Sequence, residues 1–67
     1  MKNSKHEKEL ASLRVANLHS STRELHRELA NAINRGTWKS IKQKSEELSD
    51  IYTKIAETAE TQTNPKG

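Results

Sequence analysis

The sequence predicts an all-α fold, an antiparallel two-helix hairpin of coiled-coil type, and three observations carry that expectation. Before Gly36, Ala11, Val15, Leu18, Thr22, Leu25, Leu29 and Ala32 recur in steps of four and three. After it, Trp38, Ile41, Ser45, Leu48, Tyr52, Ile55 and Ala59 recur in steps of three and four. Each set falls on one stripe of a helix, the spacing of a coiled-coil seam. The two sets are also mirror images. Ala32 pairs with Trp38, Leu29 with Ile41, Leu25 with Ser45 and Thr22 with Leu48; Leu18 with Tyr52, Val15 with Ile55 and Ala11 with Ala59 complete the series, every pair summing to 70.

Taken in order, residues 1–8 are polar and charged and are expected to be a flexible N-terminus. Residues 9–60 make the hairpin, with its turn at 34–37. The first helix is expected from about Glu7 to Ile33. Ser20-Ser21-Thr22 is a weak helix-forming stretch, and Ser21 with Glu24 matches a capping box that would permit a restart. The seam nevertheless keeps register through Thr22 without Gly or Pro, so one continuous helix is expected. In Asn34-Arg35-Gly36-Thr37, Gly36 suits the left-handed residue past a helix end and Thr37 suits the next N-cap. A connection this short forces antiparallel neighbours. The second helix is expected from Trp38 to Ala59 or Glu60, followed by a polar, disordered tail at 61–67 containing Asn64-Pro65. Within the paired seams small side chains oppose large ones, Trp38 closing the turn end over Ala32 and Tyr52 packing against Leu18.

Composition narrows the function classes. At 67 residues, 30% hydrophobic and 31% charged, the chain sits where a single core is marginal. Completion of a helical bundle is therefore expected, by dimerisation or with a partner. The absence of cysteine excludes disulfides and thiol catalysis. No apolar run follows the basic residues of Met1–Lys8, and no segment has the length to span a bilayer, so a cytoplasmic protein without a membrane role is expected. There is no Gly-rich phosphate loop and no paired nucleophile and base, so no enzymatic activity is expected. His19 and His26 lie seven apart, too far for one helix-borne metal site, and no cofactor or metal is expected.

Two sets of residues are candidates for binding. Leu10, Leu13, Ile33 and Ile51 are apolar and lie off the paired seams, and such residues supply a surface for another helical protein or a second hairpin, a homodimeric four-helix bundle being the simplest product. Arg27, Arg35, Lys39, Lys42 and Lys44 crowd the turn end. Together with Arg23, Glu24 and Glu28 they give residues 23–44 a net charge of +4, whereas residues 45–60 carry −4. A basic end of this kind is a candidate nucleic-acid contact. The expected function is thus a non-enzymatic protein–protein interaction module, a small adaptor, co-chaperone or inhibitor acting through an apolar helical face. The alternative is a small dimeric nucleic-acid-binding regulator using its basic turn.

The stretch Glu28-Leu29-Ala30-Asn31-Ala32-Ile33-Asn34-Arg35-Gly36 resembles the helix end and turn of the small E-type co-chaperones of type III secretion needle subunits. That resemblance implies a helical hairpin working inside a heteromeric complex. The Lys-rich start of the second helix departs from it.

Overall fold

The computed structural model describes residues 4–63, with side chains from Glu7 onward. Two helices, α1 (Ser4–Arg35) and α2 (Trp38–Thr63), account for nearly all of them. They pack side by side into a flat hairpin measuring 54 × 18 × 11 Å. Both helices run further than their polar flanks suggest. Residues 4–8 and 61–63, expected to lie outside the hairpin, are helical, while residues 1–3 and 64–67 fall outside the described residues. In the added turn of α2, Thr61 Oγ1 and Thr63 Oγ1 donate to the carbonyls of Thr58 and Glu60, so their hydroxyls are satisfied within the helix.

The same device keeps α1 unbroken. Ser21 Oγ donates to the Leu18 carbonyl at 2.7 Å and Thr22 Oγ1 to the His19 carbonyl at 2.6 Å. Hydroxyls satisfied by the preceding turn do not compete with the helix as a cap does. Thr22, buried to 2% exposure, therefore sits in the seam without an unpaired polar atom.

The turn is a Schellman motif. Gly36 N–H donates to the Ile33 carbonyl (3.1 Å) and Thr37 N–H to the Ala32 carbonyl (3.0 Å), with Gly36 at φ +70°. Thr37 then accepts the first hydrogen bond of α2, from Ile41 N–H at 2.9 Å. One residue thus closes the first helix and opens the second.

The seam of α1 is the expected one: Thr22 and Ala32 are buried, and Ala11, Val15, Leu18, Leu25 and Leu29 are half-buried. That of α2 is rotated. Leu48 is buried and Ile41, Lys44, Ile51, Ile55 and Thr58 are half-buried, again in steps of three and four. Ile41, Leu48 and Ile55 are kept from the expected set; Ser45, Tyr52 and Ala59 give way to Lys44, Ile51 and Thr58, and Trp38 is 77% exposed rather than plugging the turn end. The exchange brings the aliphatic Ile51 inward, so this residue serves the hairpin rather than an outer surface. It also draws in Lys44, whose stem lies along the apolar seam while its ammonium reaches Glu28 at 2.8 Å and approaches Glu47 at 4.0 Å. The observed seams reflect as Ala32 with Ile41, Leu29 with Lys44, Leu25 with Leu48, Thr22 with Ile51, Leu18 with Ile55 and Val15 with Thr58, every pair summing to 73, so the mirror is centred between Gly36 and Thr37 and not on position 35.

Two expected outcomes test this description. At Gly36 nothing lies within 4 Å of an added Cβ, so Gly36→Ala meets only the cost of a left-handed alanine, about 1 kcal/mol, and Gly36→Asn costs less. Lys44→Leu adds apolar surface at a seam position and raises thermal stability by about 1 kcal/mol, because the partly exposed Glu28 rehydrates, whereas Ser45→Leu changes it by under about 0.5 kcal/mol. Thermal unfolding followed by circular dichroism measures both.

Candidate interaction face

An antiparallel pair of right-handed helices has a simple geometric consequence. The residue following each seam position lies about 100° further round its helix, and on two oppositely directed helices that turn leads to the same face of the pair. On α1 these residues are Ser12, Ala16, His19, Arg23, His26, Ala30 and Ile33; on α2 they are Trp38, Lys42, Ser45, Ser49, Tyr52, Ala56 and Ala59. The structure ties the two rows together across the seam: His26 Nε2 and Tyr52 Oη hydrogen-bond at 2.7 Å, their rings 6.2 Å apart and tilted by 54°.

From Ser12 to Ile33 and from Trp38 to Ala59, neither row contains a carboxylate. The residues preceding the seam positions make the opposite face and include Arg14, Glu24, Glu28, Glu47, Asp50, Lys54 and Glu57. The hairpin is therefore two-faced, one side mixed in charge and the other, the neutral side, free of carboxylates and sparsely charged, with Arg23 and Lys42 its full charges. The neutral side also carries three of the five exposed large hydrophobic residues, Ile33 (56%), Trp38 (77%) and Tyr52 (42%).

Its far end is hollow. Where the seam is lined by Ala11, Val15 and Thr58, the helices leave a groove of about 530 Å³, bounded also by Ser12, Ala16 and His19 of the neutral face and by Lys8 and Gln62. A second groove of about 400 Å³ opens on the charged side, with Leu10, Arg14, Lys54 and Glu57 among its walls.

The four apolar candidates do not come together. Ile33 lies on the neutral face near the turn, Leu10 borders the charged groove, Leu13 points away from α2, and Ile51 is in the seam. Trp38 and Tyr52, assigned to the seam by their heptad spacing, are the functional candidates that reasoning from sequence placed wrongly. The signal available was the seven-residue repeat Trp38, Ser45, Tyr52, Ala59 with no acidic neighbour in its row.

The basic candidates are largely engaged. Arg27 is paired with Glu24 at 2.7 Å, Lys42 with Glu46 at 2.9 Å and Lys44 with Glu28. Hydrogen bonds donated to Glu46 and Glu28 raise the pKa values of Lys42 and Lys44 above the ordinary 10.5. Both lysines are therefore charged at neutral pH, and the part of each interaction that depends on the ammonium is lost as pH rises through the raised values. Arg35 shares a cleft with Lys44, Glu28, Asn31 and Ser40, and Lys39 lies with Lys42, Gln43 and Glu46, so these four basic candidates fall into two pairs rather than one patch.

Among the described residues no group of three His, Asp or Glu side chains is placed to hold a metal, and no helix is long and apolar enough to cross a membrane. No protein-family model matches the chain, and no curated protein or solved structure does.

The His26–Tyr52 bridge defines the face, and its strength is measurable. Being exposed, it contributes about 0.5 kcal/mol, so Tyr52→Phe and His26→Ala each lower stability slightly. A double-mutant cycle in urea yields a coupling energy of that size between them.

Proposed function

We propose that the chain is a non-enzymatic helical protein–protein interaction module, of the adaptor, co-chaperone or inhibitor type, and that it docks its partner on the carboxylate-free face. One observation carries this reading: Ile33, Trp38 and Tyr52 stand exposed on a single acid-free side of a hairpin whose own seam, among the described residues, buries only Thr22, Ala32 and Leu48. Aromatic side chains with little conformational freedom are favoured anchors at interfaces, and a surface poor in charge is cheap to desolvate. A hairpin with so thin a core gains stability from any helix laid along it.

The nucleic-acid alternative draws less support, because Arg27, Lys42 and Lys44 are held by glutamates and Arg35 and Lys39 face different clefts. The two readings separate by salt. Binding through released counterions weakens by orders of magnitude between roughly 50 and 200 mM salt for several phosphate contacts, whereas an apolar contact does not.

Photo-crosslinking tests the reading directly. A benzophenone side chain introduced singly at Trp38 or Tyr52 is expected to give discrete protein adducts in the producing cell, and one at Arg14 or Asp50 on the charged face is not. Adducts confined to the charged face, or binding to RNA or DNA that is steep in salt and lost in the Arg35→Glu, Lys39→Glu double variant, would contradict it.

A further inference from the structure

Covering the neutral face takes water from every group on it, and one group there has most to lose. Arg23 lies at the middle of the α1 row, exposed, with His19 and His26 on either side. Among the described residues it forms no ion pair, unlike Arg27 with Glu24, Lys42 with Glu46 and Lys44 with Glu28. Its own face cannot supply one, since neither row contains a carboxylate from Ser12 to Ile33 or from Trp38 to Ala59. Reflected across the seam, Arg23 falls level with Tyr52, whose hydroxyl is already engaged by His26 at 2.7 Å. Ten residues further along α1, about 15 Å at the rise of an α-helix, Ile33 stands 56% exposed beside the turn, with Trp38 across from it.

A cation taken out of water without a counter-charge opposes binding, whereas one met by a carboxylate does not. Whatever covers this face must therefore bring an acid to its centre and an apolar side chain to its turn end. We propose that the occupant is an acidic amphipathic helix of another protein, which sets a carboxylate on Arg23 and an apolar anchor against Ile33 and Trp38. This deepens the interaction reading above and rests on it.

The shape of the hairpin suits a third helix. Laid in the furrow between α1 and α2, it meets Ala30, Ser45, Ser49 and Ala56, whose short side chains let it approach. On such a helix a carboxylate and an apolar residue about three turns apart share one face and have the separation of Arg23 from Ile33. Two other occupants lack this complement. A second copy presents the same Arg23 and Lys42 and no acid, so like charges meet on burial. A nucleic-acid backbone finds one uncommitted full cation on the face, because Lys42 is held by Glu46, and one is too few for binding driven by counterion release.

Trp38 is the only tryptophan, so its emission reports occupation of the face without substitution. The probe is a synthetic tryptophan-free amphipathic helical peptide with leucine and glutamate at that three-turn spacing. It is titrated into the full chain beside a twin in which glutamine replaces the glutamate. The expected result is a shift of Trp38 emission to shorter wavelength, the glutamate peptide binding about tenfold or more tightly than its twin. Arg23→Gln, at an exposed position, leaves the hairpin intact by circular dichroism and removes that preference, while Arg14→Gln on the charged face retains it.

Equal binding of the two peptides, a preference that survives Arg23→Gln, or no binding of either overturns the acidic helix as occupant. So does a chain that self-associates in sedimentation equilibrium with Trp38 shielded, or an RNA duplex that shifts Trp38 emission where the peptide does not. The face itself is tested apart from its occupant, by the crosslinks from Trp38 and Tyr52. With those adducts present it outlives the failure of the peptide, and without them it falls whatever the peptide does.

Discussion

Gly36, at φ +70°, reverses the chain through a single left-handed residue, and the hydrogen bonds on either side of it leave no slack. Ala32 and Ile33 give their carbonyls to the turn, and Thr37 gives its carbonyl to the first turn of α2. With only Gly36 and Thr37 between the helices, the direction of α2 and the level at which each residue meets α1 are coupled to the last turn of α1. Everything else in the hairpin is arranged around this joint. The Glu28–Lys44 ion pair between the two helices is its nearest consequence, and the exposure of Trp38 is another, since the first residue after the N-cap lies beside the joint rather than under it.

The second consequence is that the hairpin has unlike sides. Two antiparallel helices turn the positions following their seams to one face and the positions preceding them to the other. The distribution of acidic residues along the chain then becomes a division in space. Glu24, Glu28, Glu47, Asp50 and Glu57 fall on one side, while the other collects His26, Tyr52, Trp38, Ile33 and a series of alanines and serines, with Arg23 and Lys42 as its full charges. A thin seam and a face this poor in charge are complementary facts. The hairpin removes few side chains from water by itself, and the surface whose burial would add most is the one with least to lose by desolvation.

Much of the fold was legible in the sequence. The α1 seam, the turn at Gly36, the continuity of α1 through Ser20-Ser21-Thr22 and the antiparallel pairing follow from spacing and local turn chemistry. The phase of α2 did not, for a specific reason. Two stripes share Ile41, Leu48 and Ile55 and differ by one residue at every other position: Ser45, Tyr52 and Ala59 against Lys44, Ile51 and Thr58. Periodicity alone scores them alike, and a lysine weighs against the second. What decides is that Ile51 has no polar group to keep wet and that Lys44 can lie along the seam while its ammonium reaches Glu28, a partner on the other helix. The candidate site followed the fold: once Trp38 and Tyr52 are counted outside the seam, the exposed apolar residues acquire a common side, whereas Leu10, Leu13, Ile33 and Ile51 never shared one.

The rotation of α2 is the claim on which the interaction face depends, and Tyr52 reports it. It is the only tyrosine, so its ring protons are identified without ambiguity. A proton nuclear Overhauser experiment on the intact chain is the most direct measurement. Cross-peaks from the Tyr52 ring to the His26 ring, with none to the methyl groups of Leu18, are the result expected from rings 6.2 Å apart on one face. Cross-peaks from Tyr52 to Leu18 instead would return Tyr52 to the seam and remove the face.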